Sequence, residues 1–176
     1  MNAPSKTHEE RVLTSLLLVA LITAGVALAR EGPNFDNVID GWNLFTLAFF
    51  SGALAGFLVW TRVSGVTPTF KLAGSHRHPW LAALVLGLAC SAAASYLNRT
   101  FASPAGRSIT AEIDAITAGK GERWHVTVKM PDGRYQRYVI PQAAATALKN
   151  EKMVRLSVAR GALGYDYIAK FEPFRQ

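Results

Sequence analysis

Three uncharged apolar runs dominate the first half of the chain, at residues 12–29, 41–61 and 80–97, with lengths of 18, 21 and 18 residues. At about 1.5 Å of rise per residue, an eighteen-residue helix spans roughly 27 Å, close to the hydrocarbon thickness of a bilayer. A helix also satisfies its own backbone in lipid, so each run predicts a transmembrane helix. Trp42 and Trp60 stand at the two ends of the second run, where an aromatic belt forms at each membrane interface. Small residues recur at every fourth position: Ala48, Gly52 and Gly56 on the second run, and Ala83, Gly87, Ser91 and Ser95 on the third. Such ridges let helix backbones approach closely, which predicts packing of the second helix on the third or, across copies, a homo-oligomer.

The segments between the runs differ in charge. Residues 30–40 carry three acidic side chains around Gly32-Pro33-Asn34, which predicts a short loop. Residues 62–78 carry Arg62, Lys71 and Arg77 with no acid, and Pro79 suits the first position of the third helix. Counting positive residues near the helix ends sets Lys6, Arg11, Arg62, Lys71 and Arg77 against Arg30, Arg99 and Arg107. That excess places the N-terminus in the cytoplasm and the C-terminal domain in the periplasm of a bacterial cell, in a multi-pass protein of the inner membrane. Ala27-Leu28-Ala29 has the form of a signal-peptidase site. The run before it is longer than a signal core and its flank carries Glu9 and Glu10, so an uncleaved helix is expected.

Beyond Ser103-Pro104-Ala105-Gly106, read as part of a linker at 99–107, the period of the pattern changes from helical to two. Residues 108–116 alternate weakly, with Ile109 and Ile113 on one face and Glu112 and Asp114 on the other. Trp124, Val126, Val128 and Met130 alternate with Arg123, His125, Thr127 and Lys129, the signature of a half-buried strand. Pro131-Asp132-Gly133 predicts a hairpin loop, and a bulge at Gly133 pairs Val126 with Tyr138 and Trp124 with Ile140. An alanine-rich helix is expected at 141–149, followed by a second hairpin turning at Gly161 to Gly164. The fold class is therefore an α-helical membrane bundle of three transmembrane helices followed by a small α+β, mostly antiparallel β, C-terminal domain at 108–176. A core of that size is marginal by itself and no disulfide can staple it, because Cys90 is the single cysteine. It is expected to lean on a neighbour: the membrane surface, a second copy or another protein.

Charge sharpens the picture of the tail. Thirteen of the nineteen basic residues and seven of the twelve acidic ones follow Leu97, so the tail alone carries a net +6 of the chain's +7. Arg123, Lys129, Arg134, Tyr135, Arg137, Arg155, Tyr165 and Tyr167 make up a basic, aromatic surface, the chemistry of a protein hot spot or of a site for anionic lipid. Arg160 and Lys170 extend it, and no nucleic-acid-binding motif accompanies it.

Catalytic chemistry has little to stand on. His76 and His78 are two ligands where zinc needs three or four, and His125 reads as an ordinary strand residue. Glu112 and Asp114 read as a solvated strand face, and no phosphate loop, CxxC or HExxH is present. The apolar runs hold none of the charged residues that mark ion paths. No catalytic residue, cofactor or metal is therefore assigned. The expectation is a non-catalytic inner-membrane protein whose exported domain binds another envelope protein, as an accessory subunit or an immunity-type protein. The alternative is a homo-oligomeric membrane protein forming a small channel.

Overall fold

The computed structural model describes residues 6–66, 78–104, 106–119 and 123–174. Its first half holds three helices long and apolar enough to cross a membrane: α1 (Lys6–Asp36), α2 (Gly41–Val66) and α3 (His78–Thr100). Leu16, Val19 and Ile22 on α1 and Leu47, Phe50 and Leu54 on α2 are each at least 60% exposed. A surface of that kind is adverse in water and ordinary in hydrocarbon. The cationic loop expected at 62–78 is shorter than expected, since α2 continues through Arg62 to Val66 and α3 opens at His78; residues 67–77, with Lys71, His76 and Arg77, lie outside the described residues, as does Ala105 of the linker.

Helix α1 departs from its expected end. It continues through Gly32-Pro33-Asn34, read from the sequence as a loop, and stops at Asp36. Pro33 stands in the closing turn, where its missing N–H removes one helical hydrogen bond and the chain need not carry the helix much further. Tightening follows at once, with Asn37 N donating to the Asn34 carbonyl at 3.2 Å and Val38 N to Phe35 at 3.0 Å. Only residues 37–40 then connect α1 to α2, with Asp40 at φ 57°.

The second half is a curled antiparallel sheet of five strands with one short helix. The strands are β1 (Arg107–Ala118), β2 (Arg123–Lys129), β3 (Tyr135–Pro141), β4 (Met153–Arg160) and β5 (Asp166–Pro173), and α4 (Gln142–Leu148) lies between β3 and β4. The order β3-β2-β1-β4-β5 contains a Greek key, since β1, β2 and β3 follow one another and β4 returns beside β1. Val126 faces Tyr138 and Trp124 faces Ile140 across the first hairpin, and Gly133 supplies its φ of 83°. The weak alternation of β1 has a physical cause: the register slips between Ile113 and Ala115. The bulge changes phase, so Ile109, Ala111 and Ile113 before it and Ile116 after it all reach the core.

That core gathers Val126, Val128, Tyr138, Ile140, Val154, Leu156 and Ile168, with Ala145 and Leu148 of α4 closing one end. Each fully buried aliphatic side chain stabilises it by about 1.5–3 kcal/mol. Burial pushes the Tyr138 hydroxyl well above the usual tyrosine range, and that hydroxyl donates to the Gln136 side chain.

The chain divides into two compact units. One holds residues up to 31 and 43–94. The other adds residues 32–42 and the end of α3 from Ser95 onward to the sheet. Within it, the 37–40 connection fills the gap between the two edge strands. Val38 forms a bridge with Tyr167, Ile39 N donates to the Asp166 carbonyl at 2.8 Å, and Ile168 N donates to the Asn37 carbonyl at 2.9 Å. On the other side Val139 N of β3 donates to Asn37 Oδ1 at 3.0 Å. A segment of the same chain thus bonds to both edge strands of the small sheet.

The foot of α3 is fastened to the same unit by one fully buried amide. Asn98 Nδ2 donates to the Tyr165 carbonyl at 3.0 Å, and its Oδ1 accepts from Leu163 N at 3.1 Å. Its backbone carbonyl accepts from Ala162 N at 3.2 Å. Gly161 lies directly under the amide, where a Cβ would collide with Asn98 Oδ1 and with the Tyr165 carbonyl.

Candidate partner surface and cleft

The cations of the expected surface are not equivalent. Arg134 Nε donates to Asp132 Oδ2 at 2.7 Å and its Nη1 to Asp40 Oδ1 at 3.1 Å. Asp132 also accepts from Arg134 N at 3.0 Å, and these bonds hold its carboxyl below the usual carboxylate range. Arg155 stands across from Glu172 and lies over the Phe174 ring at 5.4 Å. Arg160 pairs with Asp166 at 3.1 Å and Lys170 with Glu172 at 3.2 Å. Tyr165 and Tyr167 are half-buried near the fastenings of α3 and of the 37–40 segment.

Arg123, Lys129, Tyr135 and Arg137 belong together. Strand alternation puts all four on the outer face of the β2–β3 hairpin, opposite the buried Val126, Val128 and Tyr138. Lys129 faces Tyr135 across the ladder, and Arg137 faces Thr127. The three cations are exposed and Tyr135 is 60% exposed, and Arg137 lies close enough to Asp36, at the end of α1, to interact with its charge. Sequence reading named these four residues but also grouped them with Arg134, Arg155, Tyr165 and Tyr167, whose commitments are tertiary.

The small residues of the helices meet within one chain. A Cβ on Gly52 would stand 2.7 Å from the Leu86 carbonyl and from Cys90 Cβ, and one on Gly56 2.6 Å from the Ala82 carbonyl. A Cβ on Gly87 would stand 3.0 Å from the Phe49 ring. Ser91 is buried and donates to the Gly87 carbonyl at 3.0 Å, and Ala83 and Ser95 are buried as well. Ala48 is half-buried, and nothing in the structure assigns it a specific contact.

A second feature was not legible in the sequence. At the end of the sheet away from α4, a cleft of about 470 Å³ opens between the start of β1, the β2–β3 turn, Ile39 and the start of β5. Ile39, Ile109 and Met130 form an apolar wall, and Arg107, Asp132, Arg134 and Asp166 supply charge. Asp40 joins through Arg134, and Arg160 through Asp166. Arg107 Nη2 approaches Asp166 Oδ2 only to 4.0 Å. No run or spacing in the sequence collects these residues, because each belongs to a different turn or strand end.

Among the described residues, no three His, Cys, Asp or Glu side chains gather as metal ligands. No family model matches the chain, and neither curated proteins nor solved structures give a match.

Proposed function

We propose that the protein is a multi-pass protein of a bacterial inner membrane whose exported β-rich domain binds another envelope protein, without catalysis. The observation that carries this reading is the outer face of the β2–β3 hairpin. There Arg123 and Lys129 are exposed beside an exposed Tyr135, with Arg137 on the same face close enough to Asp36 to feel its charge, while Arg134, Arg160 and Lys170 pair with carboxylates within the domain. Exposed basic and tyrosine side chains on a strand pair are the anchors that a protein interface uses, and they favour an acidic partner surface.

The membrane arrangement is supported by the helices and by the sheet together. The α1–α2 connection and the chain after α3 are hydrogen-bonded into one unit, which supports a reading with both on one side of the bilayer. Three spanning helices would require the same, and the excess of positive residues on the opposite flanks supports a periplasmic side for this unit. Gly52, Gly56 and Gly87, part of the small-residue faces that motivate the channel alternative, abut the other helix of the same chain.

Affinity purification of the full chain in mild detergent, compared with a Lys129→Glu/Arg137→Glu variant, tests the reading. A partner recovered with the parent and lost from the variant is the expected result. Recovery of the protein alone from cross-linked cells overturns it.

A further inference from the structure

We propose that the cleft at the open end of the sheet holds the phosphoethanolamine headgroup of a membrane phospholipid. The inference rests on the membrane reading above and is independent of the β2–β3 surface.

Position is the first argument. Asp40, bonded to Arg134 at the cleft, is followed directly by Gly41 and Trp42, which open α2. Asn98, near the foot of α3, is bonded to Tyr165 and Leu163, beside Asp166 of the cleft. Along the chain, the cleft is therefore next to the points where this unit passes into α2 and receives α3, which on the membrane reading are the points nearest the lipid headgroups. Trp42, Tyr96 and Phe101, all within this unit, are 76%, 51% and 66% exposed. Aromatic side chains in that state are what the membrane interface accommodates.

Chemistry is the second argument. A guanidinium has five N–H donors, and Arg134 uses Nε and one Nη1 hydrogen on Asp132 and Asp40. Among the described residues Arg107, 65% exposed, makes only the long contact to Asp166. Donors from both arginines are thus left for an oxyanion, which a forked guanidinium receives well. The cleft is balanced all the same: Arg107, Arg134 and Arg160 stand against Asp40, Asp132 and Asp166. A net anion gains little from such a site, whereas a zwitterion meets both signs, its phosphate at the arginines and its ammonium at the carboxylates, whose oxygens keep free lone pairs. The apolar wall of Ile39, Ile109 and Met130 suits the glycerol end of the lipid, and the volume is within the range of small-ligand sites.

The test is native mass spectrometry of the full chain released from phosphatidylcholine nanodiscs doped with either phosphatidylethanolamine or phosphatidylglycerol. Preferential retention of phosphatidylethanolamine is expected, and Arg107→Gln should weaken it by about tenfold, the loss of one charge-assisted hydrogen bond. Arg107→Lys, which keeps the charge and loses the fork, should restore only part, with thermal unfolding unchanged in both variants. Equal retention of the three lipids, preference for phosphatidylglycerol, or no effect of Arg107→Gln overturns the proposal. Displacement of the lipid by O-phosphoethanolamine at comparable concentration would assign the cleft to a soluble ligand and overturn the lipid source. Failure of the chain to enter nanodiscs would instead remove the membrane reading, and this proposal with it.

Discussion

Asn37 holds Val139 through its side chain, accepting the Val139 N–H on Oδ1 at 3.0 Å, while its backbone carbonyl accepts from Ile168 N at 2.9 Å. One residue thereby ties β3, the first edge of the sheet, to β5, the last. Asn37→Ala keeps the backbone bond and leaves the Val139 N–H partly buried without an acceptor. The cost expected is about 1–3 kcal/mol. Faster amide hydrogen exchange at Val139 than at Val126 in the variant is the local sign to look for, and unchanged exchange at both would contradict the closure.

Asn98 and Gly161 act as a pair. Asn98→Ala removes two side-chain hydrogen bonds from a fully buried position and should destabilise the domain by roughly 2–4 kcal/mol. Gly161→Ala drives a methyl into the Asn98 amide and the Tyr165 carbonyl and should cost about 1–3 kcal/mol as an overpacked contact. The two losses should not add, because removing the Asn98 amide clears part of the space that the new methyl needs. Denaturant unfolding of both single variants and the double variant measures the coupling, and strict additivity would show that the two positions are independent.

Gly52 bears on helix packing. A leucine there meets the Leu86 carbonyl and Cys90 at distances no side chain tolerates, so α2 must move away from α3. Cys90, half-buried between its neighbours, should then react with a maleimide several-fold faster in detergent. An unchanged labelling rate would mean that the helices do not approach at Gly52.

Acid should loosen the β2–β3 turn. The Asp132 carboxyl is held below its ordinary range by Arg134, first through the backbone N–H and then through the guanidinium. A group with a lowered folded pKa stabilises above its unfolded value and loses that contribution as pH falls through the folded one. Mobility at Gly133 and Arg134, followed by amide resonances, should rise as pH drops below the ordinary carboxylate range. Asp132→Asn should abolish that pH dependence, and persistence of the same transition in the variant would assign it to another group.

The three apolar runs, the alternation of β2 and the loop Pro131-Asp132-Gly133 were enough to place the helices, the strands and even the pairing of Val126 with Tyr138, because each is a local periodicity or a local turn. The basic surface was only half legible. Arg134 and Arg137 look alike in the sequence, and only folding bonds the first to Asp40 and brings the second within electrostatic reach of Asp36. Pro33 misled for a related reason: proline marks a helix end in isolation, yet a closing turn tolerates it when the chain beyond is docked on a sheet.

By itself, then, the sequence determined which segments are helix or strand and which are apolar enough for a membrane, since those properties repeat every two or four residues. Tertiary structure alone decided what closes the sheet, what fastens α3 and where a cleft opens. Asn37 and Val139 are separated by 102 positions and Asn98 and Tyr165 by 67, and a single polar side chain meeting a distant backbone group leaves no period in the sequence.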